Sequence, residues 1–201
     1  MARVEALGWA RMTVEAHLTV AAGTDRAAFE AACRELDVKT VTIELAAGAT
    51  AVQPMTSKHY AGTFGDIARD LDADHAALRA RGFDIVRVKL ETSAMAADEP
   101  VLGGYYEFHV EVGAATAAEI AAVSAIARAR GAHLSRSARR DHVRFATLRV
   151  YGEPRASADA RANGLIDALI AGGHVVVGCE RELTIYDSRV ELDAGWLEPP
   201  P

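Results

Sequence analysis

Val14-Glu15-Ala16-His17-Leu18-Thr19-Val20 decides the reading of this chain, because Glu107-Phe108-His109-Val110-Glu111-Val112 repeats its pattern 92 residues later. Side chains of an extended strand alternate between the two faces of a sheet. Val14, Ala16, Leu18 and Val20 therefore point one way, and Glu15, His17 and Thr19 point the other. In the echo, Phe108, Val110 and Val112 oppose Glu107, His109 and Glu111. The pattern predicts a sheet with one apolar face and one face carrying paired histidines and carboxylates.

The rest of the chain falls into place around these two strands. Residues 1–13 form a lead-in, 14–91 a first half, 92–104 a Pro- and Gly-containing linker, 105–189 a second half and 190–201 a tail with Trp196 packing back on the body. In the first half, Thr24 is placed to cap a helix with Asp25 in its first turn, and Phe29, Ala32, Cys33 and Leu36 form its apolar stripe. Strands follow at Val38–Leu45 and Gln53–Tyr60, then a helix over 64–81 stopped by Gly82, then a strand at Phe83–Glu91. The second half has a strand at Tyr105–Val112 and a helix opened by the capping box of Thr116 and Glu119. Polar residues 132–140 and Val143–Tyr151 read as strands, Ser157 as a helix cap, and 174–187 as the last strand. At a shift of 91, Met55-Thr-Ser-Lys-His-Tyr60 lies on Ala146-Thr-Leu-Arg-Val-Tyr151. Each half reads β-α-β-β-α-β. The expected fold class is thus α+β: tandem duplicated ferredoxin-like halves, whose uncovered sheet faces form a shared cleft or barrel-like tunnel.

Composition narrows the function classes. A formal charge of −6 over 201 residues argues against a general nucleic-acid binder. The N-terminus lacks a signal-peptide core, and no apolar run approaches the ~20 residues of a membrane span. The two cysteines, Cys33 and Cys179, read as reduced core residues. The expectation is a cytoplasmic protein, monomeric or homodimeric, with a small-molecule partner and no membrane partner.

If the helices cover the apolar faces, strand parity assigns the opposite lining. The first half contributes Glu15, His17, Thr19, Thr40, Thr42, Glu44, Thr56, Lys58, Tyr60, Arg87, Lys89 and Glu91. The second contributes Glu107, His109, Glu111, Ser135, Ser137, Arg139, Thr147, Arg149, Tyr151, Glu180 and Glu182. Histidine pairs suit general acid–base work because their unperturbed pKa lies near neutrality. Glu107, His109 and Glu111 share one face at period two and form a candidate metal set. No His-Glu-x-x-His motif accompanies them. No cofactor is required by the sequence, and a divalent metal ion is the one it leaves open. Ser135-Arg136-Ser137-Ala138-Arg139-Arg140 gathers guanidinium forks suited to phosphate or carboxylate. Lys58, Tyr60, Lys89, Arg149 and Tyr151 extend this candidate anion-binding set.

His17-Leu18-Thr19-Val20 resembles the His-x-Thr-x motif of the two-histidine phosphoesterases, with a degenerate counterpart at 109–112. In that family the histidines act as general base and acid on a phosphodiester, and the hydroxyls hold its oxygens. Glu111 stands where the second hydroxyl belongs, so the resemblance carries over His17, Thr19 and His109 alone. A second likeness is to the triphosphate tunnel enzymes, whose tunnels mix interior acids for metal with interior bases for phosphate. Glu180-Arg181-Glu182 gives part of their Glu-x-Glu-x-Lys signature. The expected function is an intracellular enzyme acting on a phosphorylated or other anionic small molecule, by phosphoester or phosphoanhydride hydrolysis or transfer. The competing expectation is a non-catalytic ligand-binding or regulatory module with the same charged cleft.

Overall fold

The computed structural model describes residues 11–45, 50–100, 103–137 and 142–196. Its elements are β1 (Met12–Val20), α1 (Arg26–Glu35), β2 (Lys39–Leu45), β3 (Val52–Gly62), α2 (Phe64–Ala80) and β4 (Ile85–Ser93). They are followed by β5 (Tyr105–Gly113), α3 (Ala117–Ala129), β6 (His133–Ser137), β7 (Val143–Tyr151), α4 (Arg155–Ala171) and β8 (Val176–Asp187). A 3-10 turn, Val190–Asp193, follows β8.

The β-α-β-β-α-β order appears in both halves, but the expected pair of ferredoxin-like units does not. The eight strands hydrogen-bond into one closed barrel in the order β1-β3-β2-β6-β7-β5-β8-β4, every pairing antiparallel. The correction has a physical basis. A four-stranded sheet leaves two edges with unpaired backbone groups. Here β2 pairs with β6 and β4 with β8, so each half's edges satisfy the other's. The result is a single lumen in place of two opposed faces.

Apolar parity places the main core outside the barrel, beneath the helices. Val14, Ala16, Leu18 and Val20 pack with Phe29 and Cys33 of α1 and with Ile67, Leu71 and Leu78 of α2. Phe108, Val110, Val112 and Leu148 do the same with Val123 of α3 and Leu165 and Leu169 of α4. Each fully buried side chain of this size contributes roughly 1.5–3 kcal/mol relative to exposure. Among the described residues, no helix is long and apolar enough to cross a membrane.

The local caps agree in part with expectation. Thr116 and Glu119 form the capping box of α3, and Thr63 with Asp66 forms another on α2. On α1 the N-cap is Asp25, which accepts from the backbone amides of Ala27 and Ala28, while the Thr24 hydroxyl donates back to the Ala21 carbonyl. Ser157 lies inside α4 and donates to Glu153, since the helix begins one residue after Pro154. Gly82 and Gly173 follow α2 and α4 at φ +87 and +82, where a β-carbon would be strained.

Candidate functional site

The lumen is a polar cavity of about 650 Å³. β1 supplies Glu15, His17 and Thr19; β4 supplies Arg87, Lys89 and Glu91; β5 supplies Glu107, His109 and Glu111. β7 adds Phe145, Thr147 and Arg149, and β8 adds Glu180 and Glu182. These positions match the alternation expected from the sequence. β8 needs one further device, a bulge at Ile185 that sets Glu91 opposite Thr184 and Leu90 opposite Tyr186. The extra residue reverses the parity, so Tyr186 turns outward and Asp187 reaches Arg87.

Two strands depart from the expected parity. β3 lines the lumen with Gln53, Met55, Ser57 and His59. Lys58 and Tyr60 lie on the helix side, where both donate to Asp74 of α2, at 2.6 and 2.5 Å. Thr56 also faces that side, and its hydroxyl accepts from the Leu18 amide. The resemblance of 55–60 to 146–151 at a shift of 91 is therefore off by one. His17 stands two positions along β1 from Glu15, the partner of His59, whereas His109 pairs directly with Thr147. A one-residue slip exchanges the faces. On β2, Val41, Ile43 and Leu45 turn inward, Thr40 and Thr42 border the cavity as expected, and Ile43 and Leu45 pack against Trp196. Glu44 takes the other side, where Arg136 donates to it at 2.5 Å. Arg139 lies outside the described residues, so the arginine cluster of 136–140 contributes only Arg136 to the observed geometry.

The two predicted histidines occupy corresponding places in the barrel. The Nδ1–H of His17 donates to the Thr56 carbonyl at 3.0 Å, and its Nε2 lies 3.1 Å from Glu91. His109 places Nδ1 3.0 Å from the Thr147 hydroxyl and Nε2 3.3 Å from Glu182. Each imidazole thus bridges a residue of the strand on one side and a glutamate of the strand on the other. Burial disfavours the charged ring in both cases. Bonding to Glu91 outweighs this and raises the pKa of His17. Bonding to Glu182, with the charge of Glu107, raises that of His109 to about 9. Burial and the neighbouring Glu91 charge push the Glu182 carboxyl up in turn.

Between these pairs lies a continuous ionic belt. Lys89 donates to Glu91 at 2.5 Å and to Glu107. Glu107 also accepts from Arg149 Nε at 2.7 Å, and the two cations hold its carboxyl at about 2 despite complete burial. Arg149 Nη2 continues to Asp193 at 2.8 Å, Asp193 to Arg87 Nη1 at 3.0 Å, and Arg87 to Asp187 at 2.5 and 2.9 Å. Tyr105 closes the belt by donating to Asp187 at 2.8 Å. Buried charges are tolerated when paired in this way.

A metal set is brought together in altered form. The donor atoms of Glu107, His109 and Glu182 lie within 4.8 Å of one another, so Glu182 stands where the sequence pointed to Glu111. Glu111 lines the lumen elsewhere. The Lys89 ammonium already sits against Glu107, which sets it in competition with any cation there. Asp193, Gln53 and Asp187 complete the belt and were not singled out by their sequence context. The one signal that bears on Asp193 is Trp196, an aromatic anchor expected to hold the tail against the body. Its ring is buried, and its Nε1–H donates to the Leu134 carbonyl at 3.2 Å.

Fold and site together define a closed eight-stranded antiparallel barrel with an ion-paired, histidine-bearing lumen. No protein-family model matches the chain, and no curated protein matches it in sequence.

Proposed function

We propose that this chain is an enzyme acting on a phosphorylated small molecule within the barrel lumen, by hydrolysis or transfer at phosphorus. The observation that carries the reading is the matched pair of histidine–glutamate contacts, His17–Glu91 and His109–Glu182, opening on one cavity with Lys89 and Arg149. His17 has its Nδ1 proton fixed on a carbonyl, so its Nε2 holds the proton that can be given away, and it serves as the acid. Both members of the His109–Glu182 pair are shifted upward, so His109 keeps its proton near neutrality and the pair takes up the nucleophile's proton on the Glu182 carboxylate, serving as the base. Lys89 and Arg149 hold the phosphoryl oxygens and offset their charge in the transition state, and Thr19 lines the same wall.

The test is a phosphoester and phosphoanhydride panel assayed with the wild type, His17→Asn and His109→Asn. Either substitution is expected to lower kcat by at least about 10²-fold with unchanged secondary structure. Full activity in both variants refutes the mechanism. A second reading, a non-catalytic binding module, is favoured by the engagement of both ring nitrogens of each histidine. It predicts saturable binding of a panel member by the wild type and no turnover of any.

A further inference from the structure

The end of the lumen beneath Trp196 holds a carboxylate belonging to the chain itself. Asp193 reaches into the barrel from the 3-10 turn after β8 and is buried to 3% exposure. Its Oδ1 accepts from Gln53 Nε2 at 2.8 Å. Its Oδ2 accepts from Arg149 Nη2 at 2.8 Å and lies 3.0 Å from Arg87 Nη1. Three donors from three strands converge on this one carboxylate.

The guanidinium of Arg149 has capacity to spare. Arg149 Nη1 and the Tyr151 oxygen are buried without a well-formed hydrogen bond among the described residues, and the Arg149 side chain stands within hydrogen-bonding reach of the Tyr151 oxygen, opposing the upward push of burial on that phenol. Buried polar groups are rarely left unsatisfied, and each instance calls for a cause. A carboxylate is too small a partner for this set. Its two oxygens take three donors and leave Arg149 Nη1 without a well-formed bond. A phosphoryl group presents three terminal oxygens in a pyramid, enough acceptor positions for these three donors and for Arg149 Nη1.

The subsite also stands without Asp193. Arg87 keeps its two bonds to Asp187, and Arg149 keeps Glu107. Removing the internal carboxylate therefore leaves neither guanidinium unpaired, so exchange of Asp193 for another anion does not require the belt to break.

We propose that this end of the lumen is a phosphoryl-binding subsite in which Asp193 is an internal stand-in, so that a phosphorylated ligand and Asp193 compete for Arg87 and Arg149. The subsite rests on the phosphate reading of the lumen given above and adds where the phosphoryl group sits. Binding of the ligand moves Asp193 away, and with it the segment that carries Trp196 off Ile43 and Leu45.

Calorimetric titration of the full chain with inorganic phosphate, pyrophosphate and tripolyphosphate tests this. Asp193→Asn removes the competing charge while keeping the side-chain shape, and is expected to tighten the best-bound probe about tenfold or more. Trp196→Ala loosens the same segment without changing charge and is expected to tighten it in the same direction. Glu180→Gln, an exposed acid elsewhere on the lumen, is the charge control and is expected to change affinity by no more than about twofold. Wild-type Trp196 emission is expected to shift to the red on binding, as the ring leaves its pocket. Equal affinity in the wild type, Asp193→Asn and Trp196→Ala, or equal tightening by Glu180→Gln, overturns the stand-in role while leaving the lumen as a phosphate site. Absence of binding by all three probes in every variant overturns both. If Asp193→Asn does not fold, Trp196→Ala and the emission shift decide the outcome.

Discussion

Raising the pH from 6.5 to 9 is expected to cost this fold about 3 kcal/mol through His109 alone. The folded protein holds the imidazolium against Glu182 and Glu107, and its pKa is raised from 6.5 to about 9. At 1.36 kcal/mol per pKa unit, this shift sets a ceiling of about 3 kcal/mol. A group with a raised folded pKa stabilises fully below its unfolded value, and the contribution disappears as the pH climbs through the folded value. The loss therefore falls between pH 6.5 and about 9. His17 is shifted in the same direction and adds to the slope. The raised Glu182 carboxyl has the same sign, because the folded state keeps a proton that the unfolded state releases. Urea unfolding from about pH 5 to about pH 10, followed by circular dichroism, measures the curve. His109→Asn should flatten it between pH 6.5 and 9, with the remaining slope belonging to His17 and Glu182. A level wild-type curve over this range, or an unchanged slope in the variant, refutes the ion-pair account of His109.

The two faces of β3 and the centre of the belt give further tests. Tyr60→Phe removes the bond to Asp74 outside the barrel and should cost about 1 kcal/mol in urea unfolding. Neither it nor Lys58→Met should alter affinity for tripolyphosphate, and a loss of binding would return these residues to the lumen. Lys89→Met leaves Glu91 and Glu107 without the ammonium between them and should destabilise the fold by about 3–5 kcal/mol. Added Mn²⁺ should raise the melting temperature of that variant and not that of the wild type. No effect of Mn²⁺ on the variant would show that Lys89 does not stand in a cation's place.

Much of the lumen was legible because alternation survives a change of architecture. Whether β1 and β5 belong to two open sheets or one closed barrel, Glu15, His17, Glu107 and His109 share a side opposite Leu18 and Phe108. Closure itself was less visible, because nothing in a strand's alternation says which edge meets it. The misplacement of Lys58 and Tyr60 has a sharper cause. Their likeness to Arg149 and Tyr151 follows residue type, whereas the pairing follows register, and a single residue of offset reverses the face. On β2 the usual rule that apolar residues face the helices yields to Trp196, which offers Ile43 and Leu45 an apolar surface inside the barrel. Asp193 was hidden because its partners, Gln53, Arg87 and Arg149, come from distant parts of the chain and meet only in three dimensions.

The belt has a consequence for the order in which this chain assembles. The contacts Lys89–Glu107, Arg87–Asp187 and Thr184–Glu91 join the first half to the second, and Gln53–Asp193 joins the first half to the tail. Until β4 meets β8 and β2 meets β6, these groups stay hydrated, and their water is given up only at closure. The helices and the core beneath them can condense earlier from contacts within each half. Closure then works as a latch whose engagement depends on charge, so it is the folding step most sensitive to salt and protonation.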